Sequence, residues 1–279
     1  MLGAIIGDIA GSRFEFNNCR RKDFGELLAK DCQTTDDTYM TLAIANAILE
    51  TEEKLKETYS ESENKEQYLN SLKEKVICNM QLLGQVYPDG KYGGRFIQWI
   101  YSKNPKPYNS FGNGSAMRVS PIGYIGKTLE EVKELSRAVT EVTHNHPEGI
   151  KGAESVAVAI YLLKNGMSKE DLKDYIVRNY YQIDFTLDEI RDTYLFDETC
   201  QGSVPQAFEA FFESESFEDC IRNAISIGGD SDTIGAIAGS LAEAYYGISE
   251  ELEELAKSYL DKFQTSIYEE FKYKFIEET

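Results

Sequence analysis

"GGDSDTIGAIAGSLAEAYYG", Gly228 to Gly247, sets two aspartates and a threonine behind paired glycines and ahead of a long apolar run. The run from Asp232 reads as a helix, with Gly228-Gly229 placed to end the helix before it. A second acidic knot, Thr35-Asp36-Asp37-Thr38, lies far upstream in "CQTTDDTYM". There too a helix pattern follows, with Met40, Leu42, Ala43, Ala45, Ile48 and Leu49 close to a 3.6-residue period. Two loop-to-helix junctions, each crowded with carboxylates, raise the question of whether they meet.

Outward from these junctions the chain continues to read as helix. "GIKGAESVAVAIYLLKNG" (149–166) has an apolar face wide enough for a buried helix. "SKEDLKDYIVRNYY" opens with Ser168 as N-cap and Glu170-Asp171 in the first turn, where carboxylates suit the helix dipole. "PQAFEAFFES" from Pro205, "FEDCIRNAISIGG" from Phe217 and a final pair from about 249 to 277 extend the pattern. Residues 50 to 75 are highly charged and read as a solvated helical hairpin. Short strands are conceivable only near Gln182 to Thr186. The expectation is an all-α fold, one compact domain over residues 1–279, with functional loops between helices.

Three stretches break the helical rhythm and hold five of the six prolines. They are "YPDGKYGGRF" (87–96), "KNPKPYNSFGNGSAMRVSPIG" (103–123) and "VTHNHPEG" (142–149), and such clusters mark loops. No run of about 18 uninterrupted apolar residues is present, so no membrane-spanning helix is expected. The N-terminal "MLGAIIGDIAGSRFEF" is too glycine-punctuated, and too poor in basic residues, to read as a signal peptide. A formal net charge of −19 argues against nucleic-acid backbones or anionic membranes as general partners. Five cysteines form no CxxC pair, which fits incidental thiols in a reducing cytoplasm.

Ordinary capping accounts for an Asp or Thr at a helix entrance, but one cap needs no second aspartate. Four carboxylates enclosed by two facing entrances would repel by roughly 4 kcal/mol per pair at 4 Å and an effective dielectric near 20. Two divalent cations would remove that conflict. Aspartate and threonine oxygens suit Mg²⁺, Mn²⁺ or Ca²⁺ rather than Zn²⁺.

Five segments in order, "GAIIGDIAGSRFE", "TDDT", "GNGSAMRVSPIG", "THNHPEGIKGA" and "GGDSDTIGAIAG", span Gly3 to Gly239. In them the sequence resembles the ADP-ribosylglycohydrolases, a family that includes the glycohydrolase activating dinitrogenase reductase and hydrolases of ADP-ribosylarginine and ADP-ribosylserine. The resemblance implies an all-α fold with a binuclear Mg²⁺ or Mn²⁺ centre at the bottom of a cleft. Its ligands would be Thr35, Asp36, Asp37, Asp230, Asp232 and Thr233, with Asp36 and Asp232 central to catalysis. Thr38 and Ser231 would hold the local turns, and Asp8 would act structurally by accepting backbone N–H bonds. Glu15 would serve in gating or acid–base chemistry. Gly112, Asn113, Gly114, Ser115 and Met117 would contact the diphosphate and nearby ribose.

His144 is expected near ribose or phosphate, and His146 in a structural role. Arg118 is read either as a phosphate partner or as half of a buried ion pair. Tyr92 or Trp99 is a candidate to stack on adenine, with core packing the expected fate of Trp99 and the roles of Tyr87 and Tyr92 left open. The implied activity is hydrolysis of the bond between ADP-ribose and an acceptor, on an ADP-ribosylated protein or a small ADP-ribosyl compound, by a monomer. Hydrolysis of a phosphoanhydride with Mg²⁺, or ADP-ribose binding without catalysis, are the rival readings.

Overall fold

The computed structural model describes residues 1–58 and 65–277. Among them fifteen α-helices form. The first six are α1 (Leu2–Gly11), α2 (Asp36–Thr58), α3 (Lys65–Val86), α4 (Gly94–Ile100), α5 (Gly114–Met117) and α6 (Ile122–Ile125). Next come α7 (Leu129–Thr140), α8 (Pro147–Lys164), α9 (Lys169–Asn179), α10 (Leu187–Ile190) and α11 (Cys200–Phe212). Then follow α12 (Phe217–Ser226), α13 (Ser231–Tyr246), α14 (Glu250–Lys257) and α15 (Lys262–Lys272), the last running into a π-helical turn, Tyr273–Glu277.

The centre is the pair α1 and α13. Every residue of α1 is buried, and so is α13 from Ser231 to Ala242, so both are apolar on all sides, as core helices must be. Glycines recur every fourth residue in α1, at 3, 7 and 11, and face Gly239, Gly235 and Ser231 of the antiparallel α13. A Cβ on Gly3 would come 2.1 Å from the Gly239 carbonyl oxygen, and one on Gly7 would come 2.0 Å from that of Gly235. The two backbones therefore touch, closer than side-chain-bearing helices can approach. This contact sets the start of α13, with Asp230 and Asp232, against the end of α1, with Asp8 and the Glu15 loop. Helix α2 packs beside α1, bringing the first knot to the same place, while α8, α11 and α12 flank α13.

Most expected helices form, Ser168 capping α9 by accepting the Asp171 N–H. Gly228 and Gly229 take φ of 73° and 74°, ending α12 and turning the chain into α13. Three details differ. No strand forms among the described residues, whose only β pairing is an isolated bridge between Gly112 and Thr199. The alternation at 182–186 instead ends in Thr186, which builds a capping box with Glu189 at the start of α10. Helix α11 begins at Cys200 rather than Pro205, because Thr199 caps it by accepting the Gly202 N–H and the helix tolerates Pro205 within its second turn. Leu2–Gly11, read only as part of a motif, form a helix. The turn of the charged hairpin, 59–64, lies outside the described residues. All five cysteines are free thiols, and no helix of the described residues is long and apolar enough to cross a membrane.

Candidate metal centre

The two knots meet. Thr233, in the first turn of α13, donates its hydroxyl to Asp37 Oδ2 of α2 at 3.2 Å. Carboxylate oxygens of Asp8, Asp37 and Asp232 lie within 4.8 Å of one another, as do those of Glu15, Asp230 and Asp232. Asp232 is common to both groups. Asp36 belongs to neither group, although its carboxyl feels Asp8, Asp230 and Glu15. Thr35, Asp37, Asp230, Asp232 and Thr233 are all buried, and Asp36 is half-buried.

Asp8 holds the first knot in place. Its Oδ2 accepts the backbone N–H of Thr35 (2.9 Å) and of Thr38 (3.0 Å), and its two oxygens also take the hydroxyls of Thr35 and Thr38. With both oxygens engaged it acts as an orienting group, and Thr38 with it. The Asp36 N–H is held by the Gly90 carbonyl at 2.8 Å. On the other side, Asn113 donates its side-chain amide to Asp230 Oδ2 at 2.6 Å and to Ser203 Oγ at 3.0 Å, and its backbone N–H to the Glu198 carbonyl. The donors of Asn113 are thus committed to Asp230, Ser203 and the loop at 198.

The electrostatics are those of carboxylates crowded together in a buried place that could hold a cation. Burial, followed by the charges of Asp8 and its neighbours, pushes the Asp36 and Asp37 carboxyls well above the usual range. Burial, then Asp230 and Asp37, does the same to Asp232, and burial raises Asp230 to about 6. Asp37 Oδ1 is buried with no hydrogen-bond partner. Such an orphan acceptor among like charges is costly unless a cation joins it. Oxygens bound to one ion at about 2.1–2.6 Å lie within about 5 Å of each other, which matches both groups. Neither group contains histidine or cysteine, so the donor set is that of a hard cation.

Glu15 borders the centre and carries an ion pair at its edge. Lys91 Nζ reaches Glu15 Oε2 at 2.8 Å and the Ser12 carbonyl at 3.3 Å, from a backbone at φ 63°. Asn18 locks the Glu15 loop to the second knot, donating to the Gly229 carbonyl and accepting the Gly229 N–H, both at 2.9 Å. Lys91 and Asn18 escaped the sequence reading. A lysine in a glycine-rich loop signals solvent, and Asn18 carries no motif. Exposed Phe16 and Phe196 stack beside Glu15 with centroids 6.2 Å apart.

In the glycine loop, the Ser115 hydroxyl donates to the Gly149 carbonyl (2.8 Å), and Met117 is buried. The N–H groups of Gly114 and Ser115, at the start of α5, have no carbonyl one turn behind them within the helix. His144 is buried beside this loop, with Nε2 3.6 Å from where a Cβ on Gly112 or Gly114 would lie. Burial, then the Arg118 and Arg95 charges, holds its imidazole well below the ordinary histidine range, so it is neutral. His146 is structural: it caps α8, Nδ1 accepting the Glu148 N–H at 3.1 Å.

Tyr92, a candidate for stacking on adenine, is buried edge-on against Phe96, its loop held against the start of α2 by the Asp36–Gly90 hydrogen bond. Trp99 stacks on the same Phe96, in the core. Arg118 is fully buried and makes no carboxylate ion pair among the described residues; it donates to Thr143 Oγ1.

The ADP-ribosylglycohydrolase family model matches residues 1–274. The chain belongs to the ADP-ribosylglycohydrolase family. An ADP-ribosyl-[dinitrogen reductase] glycohydrolase of Rhodospirillum rubrum is 25% identical, over 97% of this chain and 91% of that protein. ADP-ribosylhydrolase ARH3 of Mus musculus is 24% identical over 92% and 85%, and ADP-ribosylarginine hydrolase Tri1 of Pseudomonas putida is 25% identical over 89% and 70%. A solved ADP-ribosylglycohydrolase-related protein complex shares the fold, with TM-score 0.62 at 21% identity, covering 96% of both chains. This ADP-ribosylglycohydrolase is thus an enzyme of the class that hydrolyses ADP-ribosyl linkages, and its acidic groups can hold a metal ion.

Proposed function

We propose that residues 1–279 form one domain that hydrolyses the glycosidic bond between ADP-ribose and an acceptor, releasing ADP-ribose, as a cytoplasmic monomer. The acceptor is a protein side chain such as arginine, or a small ADP-ribosyl compound; the relative named an ADP-ribosylarginine hydrolase supports the former. The observation that carries the reading is the pair of buried carboxylate groups sharing Asp232, with an orphan Asp37 oxygen between the joined knots. Thr35, Asp36, Asp37, Asp230, Asp232 and Thr233 would hold two Mg²⁺ or Mn²⁺ ions, at the floor of a substrate cleft. Bound there, the ions would supply Lewis acidity, a template for the ribose hydroxyls and activation of water.

The chain's own residues supply the rest. Positive charge develops at the anomeric carbon as the bond stretches, and the surrounding carboxylates favour it. Glu15, aimed by Lys91, is in position to give a proton to the leaving atom or take one from water. The N–H groups of Gly114 and Ser115, with His144, hold the diphosphate and ribose from the other side. Asp8 and Asn113 orient the first and second knots respectively. The test is turnover of ADP-ribosylated arginine, serine and nucleotide substrates with Mg²⁺, Mn²⁺ or EDTA, followed by product analysis. Intact ADP-ribose is expected, and AMP plus ribose phosphate would mean that the phosphoanhydride is the bond cut. Tight ADP-ribose binding without turnover would mean a non-catalytic module. Asp36→Ala and Asp232→Ala variants that keep full metal-dependent turnover would overturn the proposal.

A further inference from the structure

A buried guanidinium without a carboxylate is expensive, and Arg118 is one at 1% exposure. Its Nη2 donates to Thr143 Oγ1 at 2.7 Å, its Nε has no partner, and the Phe96 ring lies 5.9 Å from its Cζ. Thr143 Oγ1 is in turn 2.7 Å from His144 Nδ1. The direction of that second bond depends on the imidazole tautomer, and one assignment leaves no hydroxyl proton idle. Guanidinium only donates, so the Thr143 oxygen accepts from Arg118. The hydroxyl's own proton then has one acceptor among the described residues, His144 Nδ1. An imidazole whose Nδ1 lone pair is engaged carries its proton on Nε2.

That nitrogen borders the Gly112–Gly114 loop and makes no hydrogen bond among the described residues, although the residue is only 4% exposed. The groups facing the ring are Arg118, Arg95 and Tyr108, whose ring centroid is 6.0 Å away. No carboxylate pairs with it among the described residues, so nothing favours the imidazolium.

We infer that Arg118 and Thr143 are positioning residues: Arg118 orients the Thr143 hydroxyl, and Thr143 locks His144 as a neutral Nε2–H donor aimed at an anionic or hydroxylic ligand oxygen in the glycine loop. The identity of that ligand as an ADP-ribosyl group rests on the function proposed above; the relay does not. A neutral donor fixes the ligand's orientation without placing a cation beside a centre where positive charge develops.

The chain has only two histidines, which makes the test direct. Long-range proton–nitrogen NMR of the ¹⁵N-labelled full chain reads both tautomers, and His146→Asn, which keeps a good N-cap, assigns the signals. The wild type is expected to show His144 protonated at Nε2 and bare at Nδ1. Thr143→Val should mix the tautomers and weaken ADP-ribose binding, measured by calorimetry with Mg²⁺, about three- to tenfold, as loss of one hydrogen bond does. Thr143→Ser should restore both. Arg118→Met should mix the tautomers as well; if it does not fold, the Val and Ser pair decides alone. Protonation at Nδ1 in the wild type, or an unchanged tautomer in Thr143→Val, overturns the inference. A mixed tautomer with unaltered ADP-ribose affinity would support the relay and count against ADP-ribose as its ligand.

Discussion

Gly7→Ala puts the central helix contact to the test. A Cβ there would stand 2.0 Å from the Gly235 carbonyl oxygen, 2.2 Å from its carbon and 2.6 Å from the Ala236 nitrogen. All three are backbone atoms, so no rotamer relieves the clash. Ordinary contact begins near 3.4 Å, and 3.4 − 2.0 leaves 1.4 Å for the helices to part. Overpacking of this kind costs about 1–3 kcal/mol, while replacing a helical glycine by alanine returns up to about 1 kcal/mol. A net loss of about 1–2 kcal/mol is expected in urea unfolding. The effect on rate should be larger than the effect on stability. Helix α1 carries Asp8 and α13 carries Asp232, so their separation moves the two knots apart, and misplacement by about 1 Å can cost about 100-fold. Gly235→Ala, whose Cβ would meet the Gly7 oxygen at 2.7 Å, should do less harm, and Gly94→Ala, with nothing within 4 Å, should behave as wild type. A Gly7→Ala protein with wild-type stability and turnover would refute the close-contact argument.

Other expectations follow from single features of the site. In EDTA, stability should fall as pH rises. Asp230 stands at about 6 in the fold against about 3.9 unfolded, so its contribution is complete below pH ~4 and lost above ~6. Asp36, Asp37 and Asp232 shift in the same direction. Mg²⁺ or Mn²⁺ should therefore raise the melting temperature more at pH 7 than at pH 4, and a gap independent of pH would contradict this. Lys91→Met removes a partly exposed ion pair and should change stability by less than about 1 kcal/mol, yet lower kcat about tenfold by freeing Glu15; an unchanged kcat would show that Lys91 does not aim that carboxylate. Tyr92→Phe deletes a buried hydroxyl that has no partner, so stability should rise by up to about 1 kcal/mol with ADP-ribose affinity unaltered. A drop in affinity would return Tyr92 to the binding surface.

The acidic knots could be read from the sequence because their information is local. An aspartate pair at a helix mouth declares its chemistry by residue type, and two such pairs pose a charge problem with few solutions. What the sequence could not convey is how side chains distribute their hydrogen bonds. Asn113 sits in a glycine-rich loop and looks free for a ligand, yet its amide is committed to Asp230 and Ser203. Tyr92 lies in an equally loop-like stretch and is buried, because the fold of that loop over α2 depends on contacts distant in sequence. Arg118 looked like a partner for an anion, and its actual partner is a hydroxyl.

The glycines of α1 are the most instructive case. Read singly, each lowers helix propensity and suggests a loop, so the segment passes for a motif with no secondary structure of its own. Their four-residue spacing acquires meaning only beside Gly235 and Gly239, in an antiparallel register whose paired numbers sum to the same value: 3 with 239 and 7 with 235. Missing side chains thus do what charged ones cannot. Mutual repulsion would drive Asp37 and Asp232 apart; the backbone contact of α1 with α13, buried and unable to yield, opposes this through Asp8 of α1, which grips the first knot at the start of α2. In this account the glycine stripe is as much a part of the metal centre as the aspartates that would bind to it.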